Sequence, residues 1–97
     1  MYVYIMRRES GGPCKIGISR DLRTRRNVIS NGVDEICDVI FLLLPSVSAF
    51  AIERRVHSLL AEFDMGHEWF AVTPETAIRA VCYVGSQNET MASTGFP

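Results

Sequence analysis

The chain has 97 residues, of which 47% are hydrophobic and 22% are charged, and this length and composition predict one small soluble domain. No apolar run is long enough to cross a bilayer, and the start, MYVYIMRR, lacks the apolar core and cleavage site of a signal peptide, so we expect a cytoplasmic protein that is not held in a membrane. The formal net charge of −1 argues against a strongly basic protein that binds nucleic acid non-specifically.

The charge is distributed unevenly along the chain. Residues 1–30 contain seven Arg or Lys and two acidic residues, a net charge of +5, whereas residues 31–97 contain three and nine, a net charge of −6. A polyanion would therefore be attracted mainly to surfaces built from the first part of the chain.

Two strands joined by a loop are predicted at the start of the chain. Met1 to Arg7 alternates with period two and is rich in strand-forming residues, GGP at 11–13 favours a turn, and residues 14–18 regain strand character. Lys15 and Gly17 share one face of the second strand. A glycine inside a strand often marks a place where another group approaches the backbone closely.

A helix is predicted from about residue 21 to residue 31. Leu22, Val28 and Ile29 share one arc of this helix, and Arg25 lies near the middle of that arc. Because a guanidinium cannot lose its charge, an inward-facing arginine has to be paired or lie in a polar cleft. The alternative is that its apolar stem packs on the surface while its head reaches water.

The remaining chain predicts one further strand and two helices. Residues 36–44, ICDVIFLLL, are nearly all apolar, as in a strand that is covered on both faces. A second helix is expected from Ser46 or Ser48 to about Phe63, and a third over about 74–84. Residues 85–97 lack periodicity and core-forming residues, so we expect one domain over residues 1–84 and a disordered tail over 85–97.

On the second predicted helix, Glu53 and His57 lie one turn apart at the edge of the apolar stripe and can face one cleft. A carboxylate in this position could hold Mg²⁺, which commonly takes only one or two protein carboxylates. The alternative, which spacing alone favours, is a surface carboxylate near Arg54 or Arg55 and a half-buried histidine. The metal-site interpretation of Glu53 and His57 is favoured only if Arg25 faces the same cleft.

Four positions are candidates for contact with nucleic acid. Gly17 would let a ligand approach the strand, and Arg20, Arg23 and Arg26 could contact phosphates. A run of charges on a short helix is, however, usually a solvated face.

Several segments resemble the motifs of the GIY-YIG nuclease superfamily in their order and spacing. They are YVY at 2–4, KIGISRDLRTR at 15–25, Glu53 in the helix AIERRVHSLLAEF, and the sequence Glu68-Trp69-Phe70. The resemblance is greatest to the small phage and bacterial branch in which the second motif reads KIG and the helix reads ExxxH. It covers roughly residues 2–84.

The resemblance implies an α+β domain with a three-stranded antiparallel sheet flanked by about three helices, which cleaves phosphodiester bonds in DNA with one divalent metal ion, Mg²⁺ or Mn²⁺. By position it implies that Glu53 binds the metal, that Tyr4 or a water it orients removes the proton of the attacking water, and that Arg25 stabilises the charge on phosphorus. Lys15 takes the place of the second motif's tyrosine, and as a nearby cation it would help Tyr4 to act as a base.

The sequence departs from the superfamily pattern at three positions. Tyr2 stands where the first motif opens with glycine, Lys15 replaces a tyrosine, and Ile29 occupies a position that is often histidine. His57 is the candidate to replace that missing histidine.

We therefore expect a divalent-metal-dependent DNA endonuclease. The sequence does not exclude RNA as a substrate, and it is compatible with a homodimer. The main alternative is a nucleic-acid-binding module or regulatory subunit that uses the same cleft without cutting, and a third is a structural protein whose polar cleft has no function. Metal-dependent nicking distinguishes the first from the others.

Overall fold

The computed structural model describes the backbone of residues 1–94 and the side chains of residues 1–87. The described chain forms four strands and three helices, with a single 3₁₀ turn at Ala61–Phe63. The strands are β1 (Tyr2–Arg8), β2 (Cys14–Ser19), β3 (Cys37–Leu43) and β4 (Trp69–Phe70), and the helices are α1 (Leu22–Val33), α2 (Ala49–Leu59) and α3 (Pro74–Thr94).

The strands form one antiparallel sheet in the order β3-β1-β2-β4. This confirms the predicted α+β class with helices packed on an antiparallel sheet. The sheet has a fourth strand, β4, of only two residues, which pairs Cys14 with Phe70 and Lys15 with Trp69. This short strand matters for the site because it ties the segment that precedes α3 to the edge of β2.

The β1–β2 hairpin brings the candidate residues of the first two strands onto one face of the sheet. Tyr4 lies opposite Gly17, and Met6 lies opposite Lys15. Directly opposed residues in an antiparallel pair project to the same side. The predicted face shared by Lys15 and Gly17 is therefore the face that also carries Tyr4.

Apolar side chains cover both faces of the sheet. On one face α2 and α3 pack on β1 and β2, and on the other face α1 packs beside the face that carries Tyr4. The fully buried core side chains on the first face include Val3, Ile5, Ile16, Ile52, Val56, Phe70 and Val81, and those buried on the second include Tyr4, Met6, Ile29 and Cys37. The face that carries Tyr4 is therefore packed by α1, whereas α2 and α3 pack on the opposite face.

Helix α1 begins where the sequence predicts and ends slightly later. The Asp21 carboxylate accepts a hydrogen bond of 3.1 Å from the Thr24 backbone N–H, which is a standard N-cap. The helix ends at Asp34 in the left-handed conformation with φ 55°, two residues beyond the predicted Asn31-Gly32 stop. Ile29 is buried as predicted, but Val28 is 59% exposed. Arg25, expected to face inward from the middle of the same arc, is exposed as well, so the apolar arc is narrower than its residues suggest.

The prediction that residues 36–44 form a strand covered on both faces was wrong about burial. Strand β3 is an edge strand that pairs only with β1 in the described sheet, with a bulge opposite Ile5 and Met6. Ile40, Leu42 and Leu44 remain partly exposed. An edge strand has a neighbour on one side only, so a continuous apolar run does not ensure burial on both faces.

Helix α2 begins at the predicted cap, where the Ser48 hydroxyl accepts a hydrogen bond of 3.2 Å from the Ala51 N–H. It ends at Leu59, and the predicted continuation to Phe63 forms the 3₁₀ turn instead. Of the apolar residues that we expect on the inner stripe of this helix, Ile52, Val56 and Leu60 are buried, whereas Leu59 and Phe63 are exposed.

The predicted end of the third helix at about residue 84 was wrong, because α3 continues to Thr94. Residues 85–94, predicted to be part of a disordered tail, are therefore helical, and residues 95–97 lie outside the described residues. Gly85 is buried, and a Cβ there would lie 2.9 Å from Leu43 Cδ2, so its missing side chain lets α3 pack closely on β3. Within residues 1–94 no helix is both long and apolar enough to span a bilayer.

Candidate active site

Three potential metal ligands meet where α2 faces the segment before β4. Glu53 and His57 project from α2, one turn apart, and Glu68 comes from the loop that leads into β4. One ligand atom from each residue lies within 4.8 Å of the other two. Glu53 and His57 were both candidates from the sequence, whereas Glu68 was recognised only as part of a motif and not as a ligand.

A backbone hydrogen bond fixes the tautomer of His57. Its Nε2 lies 2.8 Å from the carbonyl oxygen of Ile16 on β2, and a carbonyl oxygen can only accept, so Nε2 carries the proton. In a neutral imidazole the other nitrogen, Nδ1, then keeps a free lone pair. Histidine ligands of metals are commonly oriented by such a bond from their second nitrogen, and the ring is also packed against Phe70, with centroids 5.0 Å apart.

The two carboxylates of the cluster repel each other without a cation between them. Glu53 is only 8% exposed. Burial, the negative charge of Glu68 and a hydrogen bond with that residue raise the pKa of the Glu53 carboxyl, while His57 and Arg25 oppose the shift. A cation at this point would remove the repulsion, because a buried pair of like charges is otherwise relieved by protonation. The donor chemistry of the cluster therefore fits a divalent metal ion.

Glu68 reaches the cluster because the loop before β4 adopts an unusual backbone conformation. Gly66, His67 and Glu68 are three consecutive residues with positive φ, at 90°, 54° and 71°. For a non-glycine residue this conformation costs of the order of 1–3 kcal/mol and is commonly retained at functional sites.

Hydrogen bonds from neighbouring segments hold this loop in place. The Glu68 carbonyl accepts from the Ile16 N–H at 3.1 Å, and the His67 carbonyl accepts from Lys15 Nζ at 2.6 Å. The Asp64 carboxylate accepts from the Gly66 N–H at 2.7 Å. Both strained residues are thus fixed to β2, which keeps the Glu68 side chain directed at the cluster.

Tyr4 and Gly17 form a tight pair across the hairpin. A Cβ at position 17 would lie 2.5 Å from the Tyr4 hydroxyl oxygen and 2.7 Å from Cζ. The Tyr4 ring is 1% exposed and cannot move aside easily. The role predicted for Gly17, close approach of another group to the strand, is therefore filled by the Tyr4 side chain of the protein itself.

Tyr4 is protonated at neutral pH. Burial and the negative charges of Glu68 and Glu53 raise the pKa of its phenol to about 12, although Arg25 opposes the shift. Arg25 is the cation that opposes the rise in the pKa of this phenol. A protonated phenol can donate a hydrogen bond to a water or a phosphate oxygen, and it cannot accept a proton at neutral pH.

Lys15 and Arg25 contribute positive charge beside the cluster. Both line a cavity of about 330 Å³ between α1 and the segment around β4. Burial lowers the pKa of the Lys15 ammonium, with Arg25 acting in the same direction and Glu68 in the opposite one. Arg25 thus acts electrostatically on Tyr4, Lys15 and Glu53.

The three other arginines singled out by the sequence do not share one environment. Arg20 and Arg23 are exposed. Arg26 is half-buried and forms an ion pair of 2.7 Å with Asp38 on β3, and its Nε also donates to the Cys37 carbonyl at 3.1 Å. Arg26 therefore joins α1 to β3, whereas Arg20 and Arg23 are free to face a polyanion.

A comparison with models of protein families matches residues 1–84 to the family described as the T5orf172 domain. This match covers most of the chain and includes all three residues of the metal-ligand cluster. No curated protein matches the sequence, and no solved structure matches the fold.

Proposed function

We propose that this chain, which belongs to the T5orf172 domain family, is a GIY-YIG-like endonuclease that cleaves phosphodiester bonds in DNA with the help of a divalent metal ion. The observation that carries the proposal is the cluster of Glu53, His57 and Glu68 beside the cations Lys15 and Arg25. Ligands for a cation next to positive side chains suit a reaction in which negative charge grows on a phosphate.

The carboxylates of Glu53 and Glu68 and Nδ1 of His57 would hold the ion. An imidazole ligand is more usual for transition metals than for Mg²⁺, so of the two expected ions the cluster favours Mn²⁺. When bound, the ion supplies Lewis-acid activation of the phosphate and lowers the pKa of a water molecule.

The chain's own residues bind and orient the substrate. Arg25 is suited to contact two phosphate oxygens at once and to balance the charge that develops on phosphorus, because its planar guanidinium offers paired donors. Lys15 adds a second positive charge. The protonated Tyr4 would donate its hydroxyl hydrogen to a phosphate oxygen or a water and would not take up a proton at neutral pH, so the proton of the attacking water would pass to solvent.

One observation favours the alternative of a DNA-binding module that does not cut. Ile29, at the position where the GIY-YIG superfamily often has histidine, is only 6% exposed and packs in the core. No polar group from that position reaches the cleft. His57 would have to replace it, but its Nε2–H is already bonded to Ile16, so His57 can contribute only as a ligand through Nδ1.

Cleavage of supercoiled and single-stranded DNA in Mn²⁺, in Mg²⁺ and in EDTA distinguishes the two functions. We expect cleavage that is faster in Mn²⁺ than in Mg²⁺ and absent in EDTA, because the ligand set includes a nitrogen. Binding measured in EDTA should weaken as salt increases, because cations of the cleft release counterions from DNA. Salt-sensitive binding with no cleavage in either metal would favour the binding module.

A further inference from the structure

The cavity beside the metal-ligand cluster has the character of a ligand site in its own right. At about 330 Å³ it falls within the range of about 300–1,000 Å³ that is usual for small-molecule pockets. None of the three cluster residues lines it, although His67 and Trp69, which flank Glu68 in the chain, both do. The residues around it are Lys15, Arg25, Val28, Ile29, Gly32, Val33, His67 and Trp69.

The apolar wall of the cavity includes Val28, a hydrophobic residue that does not pack in the core. Val28 on α1 is 59% exposed, although its position on the helix is next to the buried Ile29. Ile29 and Val33, which lie one helical turn apart, line the same wall. An exposed valine that faces a cavity gains burial if a flat apolar group enters that cavity.

Across the cavity from α1 lies Trp69, the single tryptophan of the chain. The Arg8 guanidinium carbon lies 4.6 Å from its ring centroid, and Lys15 Nζ lies 5.3 Å from it. Trp69 also packs on the core cluster of Tyr4 and Ile29, so a base in the cavity would contact the ring beside Lys15. An aromatic ring and cations together are typical of sites for single-stranded nucleic acid, where the ring contacts a base and the cations attract the phosphates.

We propose that this cavity binds one unpaired base of the DNA, next to the phosphate held at the Glu53–His57–Glu68 cluster. The inference rests on the proposed function, since the cations Lys15 and Arg25 would then contact the phosphate that adjoins this base. A base inside a duplex can enter such a cavity only after it is unstacked and unpaired, which costs free energy that an already unpaired base does not require. The preferred substrate is therefore DNA with an unpaired nucleotide at the cut, as in a single strand, a flap or a gap.

The fluorescence of Trp69 allows a direct test without cleavage. In EDTA, the protein is titrated with a short thymidine oligonucleotide and with one of equal length whose bases are all replaced by abasic tetrahydrofuran units. The two probes carry the same charge. We expect the thymidine probe to bind about ten-fold more tightly, as stacking of a base on an aromatic side chain allows, and to change the Trp69 emission more strongly.

A variant that fills the cavity provides the matched comparison. A Cβ at Gly32 would meet no atom within 4 Å, so the side chain of Gly32→Leu begins in open space at a position that lines the cavity. Asn31→Leu adds the same side chain one residue earlier, at an exposed position that does not line the cavity. We expect Gly32→Leu to bind both probes equally and Asn31→Leu to keep the ten-fold difference, with melting temperatures confirming that both variants fold.

Three results would contradict the inference. If the parent bound both probes equally and with a salt dependence, the cavity would not bind a base, and the proposed nuclease function would be unaffected. The same would follow if Gly32→Leu kept the ten-fold preference of the parent. If neither probe bound with a salt dependence, both the proposed function and the inference of base binding would be contradicted.

Discussion

Replacement of Glu53 by glutamine is expected to abolish metal-dependent cleavage while leaving the fold intact. Glutamine keeps the size of the side chain but removes one of the two carboxylate charges that would hold the ion beside His57. We expect cleavage to fall by about 100-fold or more. DNA binding in EDTA should be retained, because Lys15 and Arg25 are unchanged.

Melting temperatures separate a lost metal site from a damaged fold. Without metal, Glu53→Gln should be at least as stable as the parent, since burial and Glu68 already disfavour the charged form of Glu53. Mn²⁺ at 100 times its dissociation constant should increase the free energy of unfolding of the parent by about 2.7 kcal/mol. The melting temperature of the parent should therefore rise with Mn²⁺, and that of the variant should not. Glu62→Gln, which removes the same charge at an exposed position, is the control and should behave like the parent. An equal response of Glu53→Gln and the parent to Mn²⁺ would place the metal elsewhere.

Arg25→Ala should have the second largest effect, and a different pattern. Removing one donor that stabilises charge in a transition state typically costs about 3 kcal/mol, so we expect cleavage to be roughly 100-fold slower. Binding of DNA in EDTA should also weaken, and its dependence on salt should become less steep. The rise in melting temperature with Mn²⁺ should persist, because Arg25 is not a ligand.

A charge-matched control for this variant is available on α3. Arg79→Ala removes the same charge from an exposed position on α3 and should leave cleavage and binding unchanged. Arg25→Lys should restore binding more than cleavage, because an ammonium lacks the paired donors of a guanidinium. If Arg25→Ala and Arg79→Ala had the same small effect, Arg25 would not contact the substrate.

The hairpin and its residues could be predicted because both rest on local pattern. Period-two alternation places Lys15 and Gly17 on one face of β2, and the observed register puts Tyr4 opposite Gly17 on that face. The i, i+4 spacing of Glu53 and His57 likewise brings both to one side of α2, where the structure finds them together. These relations depend only on helix and strand geometry.

Glu68 could not be identified as a ligand because its direction depends on tertiary contacts. Two consecutive non-glycine residues with positive φ, His67 and Glu68, turn this side chain toward α2, and β2 holds them there. No propensity scale favours that conformation for either residue. The glutamate in the segment Glu68-Trp69-Phe70 and the breaker Gly66 were the only signals available.

Burial on β3 was mispredicted for a different reason, since the sequence does not reveal which strand lies at the edge. An apolar run such as VIFLLL is typical of a central strand, yet Ile40 and Leu42 lie on an edge strand and are partly exposed.

The length of α3 was underestimated because polar residues after Gly85 give little helical periodicity. In both cases the decisive information is the arrangement of neighbouring elements.

A crystal of the protein grown with Mn²⁺, examined by anomalous scattering at the manganese edge, tests the central claim most directly. The account predicts one strong peak within bonding distance of the Glu53 and Glu68 carboxylates and Nδ1 of His57, with the His57 Nε2–H still bonded to the Ile16 carbonyl. A peak bonded to other residues, or saturating Mn²⁺ with the cluster left empty and Glu53 still hydrogen-bonded to Glu68, would contradict it.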